Sequence, residues 1–133
     1  MSVEEHENWD EYIEDTGKAL DMSLSKIIKN VKIENNELRM TFGDGQGIKL
    51  WDDGQLCCER RWMHTDDDLE YYAGSKLLGV EVAAGPTTEE DFEPTESQFL
   101  KVTTSAGVFT VVNYNEHNGY YGGFTLECDF LNP

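Results

Sequence analysis

Two segments of the sequence alternate apolar and polar residues with a period of two, and this pattern constrains the fold more than any other feature. Residues 31–42 read VKIENNELRMTF, in which Asn35-Asn36, a pair suited to positive φ angles, separates two alternating runs. Residues 98–114 repeat the arrangement, with Ser105-Ala106-Gly107 between QFLKVTT and VFTVVNY. Both segments predict β-hairpins, which are the units of antiparallel sheets.

Further strands are predicted between and after these hairpins. Ile48 and Leu50 follow the turn sequence GDGQG and predict a third strand. The stretch KLLGVEVAAG also alternates and predicts a strand whose inward residues are Leu78, Val80, Val82 and Ala84. The closing GGFTLECDF places Phe124, Leu126, Cys128 and Phe130 on one face, so it predicts a strand with Cys128 inside the core.

Helical patterns are confined to two short stretches. Residues 4–15 place Trp9, Tyr12 and Ile13 on one face and predict an amphipathic helix that ends before Gly17. Helix is also expected up to about residue 24, with strand from about residue 27. Residues 65–73 predict a second helix, with Thr65 as the N-cap, three acids in the first turn and Gly74 as the stop. Residues 86–97, rich in acids and proline, predict an exposed loop.

These elements predict an α+β fold in one domain over residues 1–133. The domain is expected to be a mostly antiparallel sheet of about six or seven short strands, with an N-terminal helix and one short internal helix. Residues 1–26 form the acidic helical segment and residues 27–133 the sheet-rich core. The sequence contains neither an apolar run of membrane-spanning length nor a signal peptide pattern, so a cytoplasmic protein is expected.

Charge limits the classes of partner. The chain has 27 acidic and 10 basic residues, a formal net charge of -17. Binding to nucleic acid requires clustered Lys and Arg, so direct nucleic-acid binding is not expected. An acidic surface that meets a basic partner fits this charge, and so does an ordinary acidic protein with no such surface.

The order of several short motifs points to a family. IKLWDDGQLCCERRW, LLGVEVAAG and NGYYGGFTLE follow one another along the chain. Over about residues 27–130 this layout resembles a family of small phage and bacterial domains of unknown function, which pair a Cys-Cys doublet after the third strand with a Gly-Tyr-Tyr-Gly turn before the last. The resemblance implies no chemistry, but the occurrence of such domains in phages implies a protein that blocks host machinery.

The cysteines offer two chemical interpretations, and both are weak. Cys57, Cys58 and His64 contain zinc-ligand types, but adjacent residues on an extended chain point to opposite sides and do not share one ion easily. Arg60 and Arg61 would lower the pKa of a nearby thiol, yet no acyl-transfer motif surrounds them. We therefore expect no catalytic residue, no metal and no cofactor.

One cluster has the composition of a ligand site. Arginine grips phosphate and aromatic rings stack on bases, so a nucleotide pocket is one interpretation of this set. The other is that the arginines balance nearby acids and the tyrosines cover a sheet edge. The cluster consists of Arg60, Arg61, Trp62, Tyr120 and Tyr121.

The leading functional hypothesis is a non-enzymatic, phage-derived protein that inhibits a basic nucleic-acid-handling defence factor of its host, of the anti-CRISPR or anti-restriction type. The alternative is a protein that sequesters a signalling nucleotide. Homodimer formation through a sheet edge is a further possibility. The partner-binding residues predicted for the first hypothesis are Glu4, Glu5, Trp9, Tyr12, Asp66, Asp67, Asp68, Glu89, Glu90 and Asp91.

Overall fold

The computed structural model describes residues 14–54, 59–90, 93–118 and 122–131. Within them lie one α-helix, one short 3₁₀ helix and nine β-strands. The helices are α1 (Glu14–Ser23) and the 3₁₀ helix Leu69–Tyr72. The strands are β1 (Ile28–Glu34), β2 (Glu37–Phe42), β3 (Gly47–Asp52), β4 (Arg60–His64), β5 (Leu77–Ala84), β6 (Thr88–Glu90), β7 (Glu93–Thr104), β8 (Gly107–Glu116) and β9 (Leu126–Leu131).

The strands form two antiparallel sheets. The first sheet has the order β1-β2-β3-β9, and the second has the order β4-β8-β7-β5 with β6 paired to the beginning of β7. Both predicted hairpins are confirmed. Asn35 and Asn36 have φ angles of 54° and 59° in the β1–β2 turn, and Gly107 has a φ of 128° where β8 begins. Positive φ at both central residues matches the right-handed twist of the flanking strands.

One hydrophobic core joins the two sheets. Fully buried side chains come from both of them, for example Leu50 and Met40 from the first and Leu100 and Val111 from the second. Helix α1 adds Ala19 and Leu20 to this core and packs against β9 and β3. Alternation along each strand therefore divides its residues between the core and an outer face.

The antiparallel α+β prediction is confirmed, but six or seven strands is too few. The short strands β4 and β6 were not expected. The sequence RRWMH of β4 shows no apolar alternation, because Arg61 occupies an inward position on this strand. The prediction of a loop over residues 86–97 is wrong as well, since this segment contains β6 and the first residues of β7.

The predicted helix over residues 65–73 is replaced by an extended segment and the single 3₁₀ turn. Thr65 is not an N-cap. Its hydroxyl donates a hydrogen bond to the carbonyl of Thr110 (2.7 Å), and the backbone amide of Thr110 donates to Asp67 Oδ2 (2.7 Å). These bonds hold the segment along β8 and compete with helix formation. Gly74, the predicted stop of that helix, has a φ of 92° and lies two residues beyond the end of the 3₁₀ turn.

Helix α1 confirms helix up to about residue 24 and strand from about residue 27, but it runs through Gly17, where a stop was predicted. Residues 4–13 of the predicted N-terminal helix lie outside the described residues. Among the described residues, no helix is long and apolar enough to cross a bilayer.

Two predicted inward faces need correction. On β5, Leu77 is fully buried and Leu78 is 49% exposed, because a register shift between Leu77 and Gly79 moves the alternation by one residue. Ala84 is also exposed. Cys128 lies in the core as predicted, whereas Phe130, near the end of the edge strand β9, is 38% exposed.

Candidate functional site

The inner face of the second sheet changes from apolar to polar along its strands. At one end Val102 pairs with Phe109 and Leu100 with Val111, all of them fully buried. In the next row Gln98 lies opposite Asn113, whose side-chain amide donates to Gln98 Oε1 (3.1 Å). The inward positions of β8 and β4 then continue as polar residues. This polar end is where the candidate site lies.

Arg61 is the centre of the polar end. Its Nη1 donates to both carboxylate oxygens of Asp52 (2.9 Å each), and its Nη2 donates to both oxygens of Glu59 (3.0 and 2.9 Å). The side chains of Arg61, Asp52 and Glu59 are 6%, 6% and 0% exposed. Burial by itself lowers the pKa of Arg61, but the hydrogen bonds and charges of Asp52 and Glu59 outweigh it and raise the pKa above its ordinary value. Arg61 therefore stays charged, and the two carboxylates fix the position of its guanidinium group.

Hydrogen bonds extend this ion pair in two directions. Asp52 Oδ1 accepts the backbone amides of Thr125 (2.8 Å) and Gly54 (3.2 Å). Asn115 Nδ2 donates to Glu59 Oε2 (3.0 Å) and to the carbonyl of Gly123 (3.1 Å). Asn115 Oδ1 is buried and has no hydrogen-bond partner among the described residues. Because Asp52 lies on β3 and Arg61 on β4, the network joins the two sheets.

A histidine–carboxylate pair lies beside this network. His117 Nε2 and Glu96 Oε1 are 2.7 Å apart, and Glu96 Oε1 also accepts the amide of Gly123 (3.0 Å). His117 is 8% exposed. A Cβ on Gly122 would overlap Glu96 Oε1 and make a tight contact with His117 Nε2, so the backbone at Gly122 packs closely on the pair.

The outer face of the second sheet carries a different arrangement at the same end. Trp62 lies opposite Tyr114 in the register, and their rings stack with centroids 4.9 Å apart and an interplanar angle of 20°. Arg60 lies opposite Glu116, and its Cζ is 4.8 Å from the centroid of the Trp62 ring. These four side chains come from positions 60, 62, 114 and 116, which alternate with the inward residues.

A groove of about 490 Å³ opens on this outer face. We call it the outer groove; it is lined by Arg60, Trp62, Glu93, Tyr114 and Glu116 together with two threonines. A second depression of about 240 Å³ adjoins it, because both include Arg60, Glu93 and Glu116. Two carboxylates and one guanidinium line the groove, so its formal charge is negative.

The structure separates the two predicted arginines. Arg60 lies on the outer face above Trp62, and Arg61 lies on the inner face between two carboxylates. Neighbouring residues on a strand point to opposite faces, so the two guanidinium groups cannot bind the same ligand. Tyr120 and Tyr121 lie outside the described residues.

The predicted acidic contact residues are also divided. Asp66, Asp67 and Asp68 follow the end of β4, where Asp67 bonds to Thr110. Glu89 lies on β6, opposite the beginning of β7, whose Thr95 is in register with Glu116. Since Thr110 and Glu116 are separated by roughly 20 Å of strand, the two acidic groups lie towards opposite ends of the second sheet.

Several predicted contact residues cannot be placed in the site. Glu4, Glu5, Trp9, Tyr12 and Asp91 lie outside the described residues. For Glu90 only the backbone is described, in β6.

Sequence reasoning missed four residues that border the candidate site: Glu93, Tyr114, Glu116 and His117. A signal for the polar end was present in the sequence. From Phe109 onward every second residue is inward, and the series Phe109, Val111, Asn113, Asn115, His117 turns from apolar to polar. A period-two series whose last inward members are two amides and a histidine indicates a polar interior.

The cysteine hypotheses gain no support from the described residues. Burial, followed by the charge of Asp129, raises the pKa of Cys128 to about 12, so its thiol is protonated near neutral pH. His64 Nε2 lies 2.8 Å from Asp66 Oδ1 at the surface. No group of three or more metal-binding side chains occurs in the described ranges, and Cys57 and Cys58 lie outside them.

Comparison with known proteins identifies a family. A domain of unknown function, DUF7448, matches residues 21–126. This match covers most of the chain, and the chain therefore belongs to that family. The expected resemblance to an uncharacterised domain family is confirmed at this level. No curated protein and no solved structure matches the chain.

Proposed function

We propose that this member of the DUF7448 family is a non-enzymatic interaction protein that binds a basic protein partner through the polar end of its second sheet. The observation that carries the proposal is the pair of adjoining depressions that share Glu93, Glu116 and a single cation, Arg60. Arg61, the residue that follows Arg60 on β4, is already paired with Asp52 and Glu59.

The charge of the whole chain supports the same proposal. A formal net charge of -17 on 133 residues attracts cationic proteins over long range and speeds their encounter. Close complementarity at a concave surface then selects among them. A basic surface on the partner would complement this negative charge.

The specific form that we propose is inhibition of a nucleic-acid-handling defence factor of the host by a phage-derived protein, of the anti-CRISPR or anti-restriction type. Such factors hold phosphates with clustered Lys and Arg. A protein that presents carboxylates to those residues competes with the nucleic acid for the same surface. The site of action would be the host cytoplasm.

A small-nucleotide-binding protein is the second candidate, favoured by the stack of Trp62 on Tyr114 with Arg60 above it. Two observations weigh against it. Arg61 gives all its described hydrogen bonds to carboxylates. In addition, Glu93 and Glu116 line the same groove and would repel a phosphate.

Affinity capture from a bacterial lysate with the full chain, at about 50 mM and about 500 mM salt, tests the leading proposal. We expect nucleic-acid-binding proteins to be captured at low salt and released by duplex DNA or high salt. The Glu93→Gln/Glu116→Gln variant should capture markedly less. The Asp66→Asn/Asp68→Asn variant, which has the same change in charge at the opposite end of the sheet, is the matched control.

Capture of only neutral or acidic proteins, or capture that neither salt nor DNA disturbs, would contradict the proposal. Equal losses in the two double variants would support a contribution from total charge and contradict the assignment of the surface to the polar end.

A further inference from the structure

We infer that the outer groove is a receptor for the guanidinium group of an arginine in a basic segment of the partner. This inference rests on the proposed function, and it adds the residue type that is recognised and the surface on which it lies. The occupant is an arginine-rich peptide segment rather than a lysine-rich segment or a phosphate-bearing ligand.

The floor of the groove has the shape that a planar cation requires. Trp62 and Tyr114 stack with centroids 4.9 Å apart and an interplanar angle of 20°, so each ring covers one face of the other and the stack presents a flat aromatic surface on its outer sides. A guanidinium group lies flat on such a surface and is attracted to the negative faces of the rings. A lysine ammonium is compact and strongly hydrated, so it gains less from a flat platform.

The chain's own Arg60 shows that this surface accepts a guanidinium group. Its Cζ lies 4.8 Å from the Trp62 centroid, within the range of a cation–π contact. Arg60 is exposed, so its guanidinium group can leave the Trp62 ring and be solvated instead. An arginine from a partner would make the same type of contact, and Arg60 would compete with it for the ring.

The walls of the groove provide the charges that an incoming guanidinium needs. Glu93 and Glu116 both line it, and a carboxylate binds a guanidinium with two parallel hydrogen bonds. Among the described residues that line the groove, Arg60 is the one cation beside these two negative charges. The groove contains about 490 Å³ of free space with Arg60 in place, so a second side chain fits beside it.

The opposite ligand, an anion, is disfavoured by the same charges. The groove has a net negative formal charge, and the second arginine that a phosphate grip requires is on the other face of β4. Removal of Arg60 therefore separates the two ligands by the sign of its effect. It should strengthen binding of an arginine peptide and weaken binding of an anion.

Isothermal titration of the full chain with hexa-arginine at about 50 mM salt tests the inference. We expect binding that is tighter than binding of hexa-lysine. Trp62→Ala should weaken it by about two- to thirty-fold, as expected for loss of a cation–π contact. Arg60→Ala should strengthen it, and Glu116→Gln should weaken it.

Trp51→Ala is the matched control, since Trp51 lies on the outer face of the first sheet under Lys49. It should leave hexa-arginine binding unchanged. Glu116→Gln keeps the shape of the side chain and tests the site even if Trp62→Ala does not fold. Circular dichroism of each variant establishes whether it is folded.

Equal affinities for the wild type, Trp62→Ala and Glu116→Gln would overturn the inference. Weaker binding by Arg60→Ala, or no preference of the wild type for hexa-arginine over hexa-lysine, would also overturn it. In each of these cases salt-sensitive capture of basic proteins from lysate would still support the proposed function. Loss of that capture contradicts the proposed function itself, so the two failures are distinguished.

Discussion

Two tryptophans on the outer faces of the two sheets have the same local arrangement and different surroundings. Trp51 lies two residues after Lys49 on β3, and Trp62 lies two residues after Arg60 on β4. In both cases the cation lies over the ring, at 4.7 Å for Lys49 and 4.8 Å for Arg60. The spacing of two puts both side chains on one face of a strand.

The difference lies in what neighbouring strands contribute. Beside Trp51, Glu37 of β2 lies 3.6 Å from Lys49 and 2.6 Å from Arg39, so cations and acids on this face are paired. Beside Trp62, β8 adds a second aromatic ring, and β7 and β8 add the two glutamates of the outer groove. The first arrangement is a balanced surface, and the second is a concave surface with an excess of negative charge.

The same ion network lies beneath both tryptophans. The inward neighbours of Trp51 are Leu50, which is buried in the apolar core, and Asp52. The inward neighbours of Trp62 are Met63, which is buried in the same core, and Arg61. This buried ion network tolerates substitution poorly, because loss of any charged member leaves another charge buried without its partner.

The largest effect is expected beneath Trp62. Arg61→Ala leaves Asp52 and Glu59 as buried carboxylates without a cation, so we expect the free energy of unfolding to fall by about 3–5 kcal/mol. Urea denaturation followed by circular dichroism measures it. The neighbouring Arg60→Ala is the control and should lose no more than about 1 kcal/mol. Similar losses in both variants would contradict the separation of the two arginines.

A smaller effect is expected from added volume at the same network. A Cβ on Gly54 would overlap the guanidinium of Arg61, which the two carboxylates hold in place. Gly54→Ala should therefore lower the free energy of unfolding by about 1–3 kcal/mol, the usual cost of overpacking. Gly43→Ala is the control, because no atom lies within 4 Å of its Cβ position. If Gly54→Ala is as stable as Gly43→Ala, the network is looser than its distances indicate.

The smallest effects are expected at the two cations themselves. Lys49→Ala and Arg60→Ala should each lower the free energy of unfolding by less than about 1 kcal/mol, since exposed cation–π contacts are weak. Lys49→Ala also removes the attraction to Glu37, so its loss should shrink as salt is added. Thermal unfolding at two salt concentrations measures both. A large loss for Arg60→Ala would mean that Arg60 supports the fold and is unavailable for exchange.

Much of the fold was predictable because the hairpins are specified locally. Asn35-Asn36 supplies the positive φ angles of one turn, and the period of two around it assigns the inward residues. Cys128 was placed correctly by the same alternation. The helix over residues 65–73 was predicted wrongly, because hydrogen bonds of Thr65 and Asp67 to β8 depend on a strand more than forty residues away.

The candidate site was only partly predictable. Trp62 and Arg60 do line the outer groove, as members of the predicted ligand cluster. Arg61 was grouped with Arg60 because the two are adjacent in sequence, although alternation sends them to opposite faces. Glu93 was hidden in a segment that was predicted to be a loop.

The antiparallel hairpins, the inward positions of most strands and the large negative charge could be predicted, because alternation, turn residues and composition depend on near neighbours in the chain. Which acids meet which cations could be seen only in the folded chain. Asp52 and Glu59 neutralise Arg61, whereas Glu93 and Glu116 join Arg60 at one groove. Charges interact through space, and the pairing of β3, β4, β7 and β8 sets those distances.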